Sequence, residues 1–119
     1  MSDERPTILI VDDDETILQL LTTALGRDYE ILQASDGDEA VEIHTNRDEG
    51  VDLVLLDLGM GRMSGYDALA AMQMDDPDVR IIVITGLDPD AARLPNVRRI
   101  ITKPFRVDQV RNAVAEELK

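Results

Sequence analysis

Cysteine is absent from this 119-residue chain, and lysine occurs only at Lys103 and Lys119. Without cysteine there is no disulfide framework and no thiol redox chemistry, which fits the cytoplasm, the expected compartment. No stretch approaches the ~20 apolar residues that a membrane span needs, so no membrane association is expected. The first six residues, Met-Ser-Asp-Glu-Arg-Pro, are too polar and short for a signal peptide and read as a loose tail on a single domain covering residues 1–119. Positive charge is scarce: 12 Lys plus Arg stand against 25 Asp plus Glu, a formal net charge of −13. Such a surface repels nucleic-acid phosphates at long range, and direct nucleic-acid binding is not expected. In a chain that otherwise uses arginine, Lys103 reads as a residue chosen for its compact point charge.

What the chain does have is alternation. Residues 7–11 form a short, almost wholly apolar run suited to a strand covered on both faces. Ile17, Leu18, Leu20, Leu21, Ala24 and Leu25 then recur at helical spacing, with Gly26 as a stop. Residues 29–34 read as a second strand, 36–47 as a helix with His44 near its inner edge, and 52–56 as a third strand. Ser64 and Asp67 resemble a capping box that opens a helix closed by Asp76 and Pro77. Residues 80–84 read as a fourth strand. Pro89 and Pro95 leave room for only a turn or two of helix over residues 90–94. Residues 97–102 give a fifth strand, and Val107, Val110, Ala113, Val114 and Leu118 stripe a closing helix.

Strands alternating with helices in a chain this short call for a doubly wound α/β fold, a five-stranded parallel sheet of order 2-1-3-4-5 with a shortened fourth helix. In such a sheet chemistry gathers outside the carboxyl ends of the strands. Those ends carry Asp12, Asp13 and Asp14 after the first strand, Asp57 after the third, Thr85 after the fourth, and Lys103 with Pro104 after the fifth. Two carboxylates ~4 Å apart repel by about 4 kcal/mol at an effective dielectric near 20, so the corner needs a cation. Mg2+ suits it, since that ion takes one or two carboxylates plus water and substrate phosphate. Asp57, alone at the end of the most central strand, is the candidate nucleophile. Lys103 and the Thr85 hydroxyl supply charge stabilisation for phosphoryl transfer, and Pro104 stiffens the turn that aims Lys103. Asp14 reads as a helix cap. His44 is assigned no role, and Met60, Met63, Met72 and Met74 read as loop and core filler.

Taken in order, Ile-Leu-Ile-Val-Asp12-Asp13-Asp14, Leu-Leu-Asp57-Leu-Gly-Met60, Gly65, Ile-Thr85-Gly86 and Thr-Lys103-Pro104-Phe105 resemble the receiver domains of two-component response regulators, across nearly the whole chain. The resemblance implies a flavodoxin-like fold and a phosphoacceptor at Asp57. It also implies Mg2+ held by Asp12, Asp13, Asp57 and the Gly59 backbone carbonyl, with Thr85 and Lys103 contacting the phosphoryl group. The donor would be a phosphohistidine on a sensor histidine kinase or phosphotransfer protein. The chain would act as a switch toward an unknown downstream target, as a monomer or weak dimer, and not as a turnover enzyme. It departs from the family pattern in three places. Met60-Gly61 replaces Met-Pro, Ile100 stands where an aromatic often couples to the Thr hydroxyl, and the stretch from Thr85 to Lys103 is short. These departures bear on the readout and not on phosphoryl acceptance.

Three other readings compete. A receiver that no longer switches would serve as a phosphorylation-independent interaction module. An aspartyl-phosphate hydrolase would want a further acid two residues after the nucleophile, where Gly59 stands. A flavin or nucleotide module would want a Gly- or hydroxyl-rich loop after the first strand, where three aspartates would repel phosphate.

Overall fold

The computed structural model describes residues 5–48, 50–59, 65–86 and 91–119. Within them the chain runs β1 (Thr7–Val11), α1 (Glu15–Leu25), β2 (Glu30–Ala34), α2 (Gly37–Asn46), β3 (Leu53–Asp57), α3 (Gly65–Asp75), β4 (Ile81–Thr85), a 3₁₀ turn (Ala91–Arg93), β5 (Val97–Thr102) and α4 (Val107–Glu117). The strands form one parallel sheet in the order β2-β1-β3-β4-β5. Every residue of β1, β3 and β4 is buried, which is why these strands read as continuous apolar runs and not as alternating ones.

Because successive side chains point to opposite faces, each central strand feeds two cores. Leu9, Val11, Val54, Leu56 and Val83 meet Ala40, Ala68, Leu69 and Met72 of α2 and α3. Ile8, Ile10, Leu55 and Ile84 meet Leu18, Leu21, Val110 and Val114 of α1 and α4.

Local chemistry sets the element ends. Asp14 caps α1, its side chain accepting from the Thr16 N–H at 2.9 Å. Asp36 caps α2 through the Glu39 N–H at 2.8 Å. Gly26 ends α1 in a right-handed conformation, φ −67°, so the left-handed freedom that makes glycine a common stop is not used here. The sequence placed helical turns over residues 90–94. The structure has a single 3₁₀ turn at Ala91–Arg93, closed by the Leu94 N–H on the Ala91 carbonyl, and residues 87–90 lie outside the described residues. Ser64 of the expected capping box also lies outside them, as do Met60, Gly61 and Met63. Of the expected tail, Arg5 donates to the Gly26 carbonyl at 3.0 Å and Pro6 accepts from the Glu30 N–H at 2.9 Å; residues 1–4 are not among those described.

Register brings the chemistry to one edge. Val11 pairs with Leu56 and Asp57 pairs with Ile84, so Asp12, Asp57 and Thr85 emerge at the same end of three adjacent strands.

Candidate functional site

Asp12 and Asp57 are the buried carboxylates of this corner, 3% and 7% exposed, while Asp13 stands in solvent beside them. One carboxylate oxygen from each of Asp12, Asp13 and Asp57 can be chosen so that the three lie within 4.8 Å of one another. Each buried carboxylate is oriented by a backbone N–H two residues on: Asp14 donates to Asp12 Oδ1 at 2.9 Å, and Gly59 donates to Asp57 Oδ1 at 3.0 Å. The other oxygens meet one cation. Lys103 Nζ lies 3.3 Å from Asp12 Oδ2 and 3.3 Å from Asp57 Oδ2.

Lys103 leaves β5 next to Thr102, which pairs with Thr85, and its N–H donates to the Thr85 carbonyl at 2.7 Å. Pro104 follows through a cis peptide bond. Thr85 itself is buried, 8% exposed.

Burial raises the Asp12 carboxyl above the ordinary carboxylate value, and the Asp57 charge adds to the effect against the Asp14 N–H and Lys103. For Lys103, burial alone works against the ammonium, but the charges and hydrogen bonds of Asp12 and Asp57 prevail and hold it above the ordinary lysine value. Three carboxylates and one ammonium leave a net negative corner. Its donors are all hard oxygens, so it fits a small divalent cation such as Mg2+.

The positions expected from sequence thus meet at one end of the sheet. Asp12, Asp13, Asp57 and Lys103 form the cluster, Thr85 joins it through the backbone of Lys103, and Gly59 supplies its N–H to Asp57. Ile100 pairs with Val83 and packs, half-buried, against the α2–α3 side of the core. A feature the sequence did not reveal is the neighbour of His44, which is 3% exposed: its Nδ1 lies 2.9 Å from Asp75 Oδ2, at an ion-pair distance but outside hydrogen-bond geometry, and neither ring nitrogen has a hydrogen-bond partner among the described residues. The place of His44 on the inner edge of α2 was legible; its neighbour on α3 was not.

Gly65 opens α3 against the acceptor strand. Its N–H donates to the Leu58 carbonyl at 3.3 Å, and a Cβ there would fall on the Leu58 backbone and 2.6 Å from the Asp57 carbonyl oxygen. Only glycine fits that approach.

A doubly wound parallel sheet that collects buried aspartates and a lysine at its carboxyl edge defines the flavodoxin-like class of phosphoryl-accepting domains. The model of the response regulator receiver domain matches residues 8–115, and the chain belongs to that family.

The chain is 35% identical over 116 residues to sporulation initiation phosphotransferase F of Bacillus subtilis, covering 93% of this chain and 92% of that protein. It is 36% identical to the transcriptional regulatory protein GlrR of Escherichia coli, where all of this chain matches 28% of the relative's length. The CheX–CheY–BeF3–Mg2+ complex from Borrelia burgdorferi contains a similar chain, with TM-score 0.87 and 28% identity over 96% of this chain and 90% of that one. This protein is a phosphoacceptor receiver domain of two-component signalling. Among the described residues no helix is long and apolar enough to cross a membrane.

Proposed function

We propose that Asp57 accepts a phosphoryl group from a phosphohistidine of a sensor histidine kinase or phosphotransfer protein. The observation that carries this reading is the buried Asp57 carboxylate held between the Gly59 N–H and Lys103 Nζ, with Asp12 and Asp13 alongside. A carboxylate oxygen of Asp57 forms the new P–O bond, the P–N bond to the donor imidazole breaks, and that imidazole leaves with the electron pair and takes up a proton. Asp12, Asp13, Asp57 and the Gly59 carbonyl would hold Mg2+. That ion, when bound, neutralises phosphoryl oxygens and orients the incoming group. Lys103 moves from pairing two carboxylates to pairing the phosphoryl oxygens, and the Thr85 hydroxyl donates to another. Pro104 fixes the turn that keeps Lys103 in reach.

Modification replaces one buried negative charge by two or nearly so, and the Lys103 and Thr85 contacts that follow bias a two-state element. The chain acts by switching its affinity for a downstream protein, in the cytoplasm, as one domain over residues 1–119. It does so without turnover of a substrate and without touching nucleic acid itself.

Incubation with acetyl phosphate and Mg2+ followed by intact-mass and peptide mass spectrometry tests the assignment. One added phosphoryl group, mapped to Asp57 and absent in Asp57→Ala, is expected. No adduct, or an adduct that survives in Asp57→Ala, overturns it.

A further inference from the structure

Tyr66, Ala70 and Met74 follow one another at four-residue steps along α3, and all three face solvent, Tyr66 39% and Met74 86% exposed. The opposite side of the same helix, with Gly65, Ala68, Leu69 and Met72, is buried in the core. The α3 helix therefore carries apolar residues on two sides, with Asp67 exposed beside the outer stripe, where a helix with one buried face carries a polar outer one. The expectation that the methionines fill core and loops holds for Met72, which is fully buried, and fails for Met74.

The outer stripe runs into an acidic end. Asp75, Asp76 and Asp78 follow Met74, and the last turn of α3 has no basic residue to offset them or the partial negative charge of the helix carbonyls. Arg80, the next cation along the chain, is engaged elsewhere, donating to the Glu117 carbonyl at 2.6 Å.

We propose that the outer face of α3 is a docking surface for a basic amphipathic helix of a partner protein. Apolar residues of that helix seat on Tyr66, Ala70 and Met74, and its Lys or Arg residues meet Asp75, Asp76 and Asp78. Charge decides the occupant. At a net charge of −13 a second copy of this chain is repelled, and an anionic membrane surface is repelled on the same ground. The surface is held at both ends: Asp75 Oδ2 lies 2.9 Å from His44 Nδ1 of α2, and Gly65 sits on the backbone of Asp57 and Leu58. The second anchor roots the surface on the strand that ends in Asp57; its use as the switched output rests on the acceptor role proposed above.

The test uses unmodified full chain labelled with 15N and three synthetic peptides of about 18 residues, long enough to hold a helix on binding. These are a Leu/Lys amphipathic helix, a Leu/Glu helix with the same apolar face, and a Ser/Lys peptide with the same charge and no apolar face. The Leu/Lys peptide is expected to perturb amides of α3 and residues 76–78. Tyr66→Ser combined with Met74→Ser is expected to weaken it at least tenfold while core amides stay in place, and Asp76→Asn with Asp78→Asn to weaken it several-fold. The Leu/Glu peptide is expected not to bind.

Perturbation mapped elsewhere, equal binding by the Ser/Lys peptide, unchanged affinity in the double serine variant, or self-association through this face in sedimentation each overturns the proposal. The titrations use protein without a phosphoryl group, so their failure counts against the surface alone. The acceptor reading is judged separately by the Asp57 adduct.

Discussion

At Asp12, stability and chemistry pull in opposite directions. An acid whose folded-state pKa lies above its unfolded value destabilises the fold in its ionised form, and that cost is relieved as pH falls toward the raised value. Asp12→Asn supplies a neutral group that can still accept the Asp14 N–H. Without divalent cations near neutral pH, this variant is expected to melt a few degrees above the wild type in a thermal scan while losing its Mg2+ response; a lower Tm would count against the buried-charge account. Lys103 has the opposite sign. Its raised pKa means that the stability it contributes is fully present below the ordinary lysine value and is lost as pH rises through the folded one. Lys103→Met leaves Asp12 and Asp57 facing each other, and because the lysine side chain is 31% exposed the loss is expected at about 1–2 kcal/mol in urea titrations. Added Mg2+ is expected to restore part of it. Asp12 and Asp57 were legible in the sequence because each follows an apolar run, whereas Thr85 and Lys103 stood out from an ordinary strand-end hydroxyl and a solvated charge only through their neighbours and the resemblance to receiver domains. The His44–Asp75 contact was not legible, because nothing in the periodicity of α2 says which residue of α3 will face it.

Elements announced themselves by their apolar runs and stripes, and the distant polar partners that hold them in place did not. The strand at Val97–Thr102 matches the sequence expectation, whereas what holds α4 against it was invisible. The last turn of α4 carries Glu116 and Glu117 with no basic residue, a poor match to the helix dipole. Arg99 Nε donates to Glu117 Oε2 at 2.7 Å, Arg99 Nη2 to Glu116 Oε2 at 2.6 Å, and Arg98 Nε to Glu117 Oε1 at 3.2 Å. The hydrogen bond from Arg99, ahead of that from Arg98, holds the Glu117 carboxyl below its ordinary value. The stability this provides is present above that ordinary value and is lost as pH falls through the lower folded one. Glu117→Gln is therefore expected to lower Tm by a few degrees at neutral pH, with the gap to wild type closing at acid pH; a gap independent of pH would exclude the arginine clamp as its cause. The turn before β5 rests on Asn96, at φ 69°, whose Nδ2 donates to the Pro77 and Val79 carbonyls at 2.8 and 2.9 Å. Asn96→Ala loses the bonds and strains the backbone, for about 2–3 kcal/mol, and Asn96→Gly, which loses only the bonds, is expected to cost less. Chemical denaturation of the two variants separates the contributions.

Over the whole molecule the excess of carboxylates opposes compaction, so neutral salt is expected to raise Tm by screening. Mg2+ is expected to raise it further than NaCl of equal ionic strength, by about 2.7 kcal/mol of stability at one hundred times its dissociation constant. That excess is expected to vanish in Asp13→Asn combined with Asp57→Asn; an excess that persists would place the ion elsewhere. The fold class and sheet order were legible because a parallel sheet forces alternation along the chain. Between β4 and β5 only the shortness of the helical segment was legible, and not that its single turn at Ala91–Arg93 is 3₁₀, because prolines on either side leave little periodicity to read. Finally, Lys103 reaches Asp12 across 91 positions and Asp57 across 46. Chains emerge from the ribosome amino end first, so both carboxylates are available to pack before their counter-ion has been synthesised. Until β5 docks, closing β1 against β3 brings two carboxylates together without their counter-ion, and the corner that receives a phosphoryl group gains its lysine only when the last strand is in place.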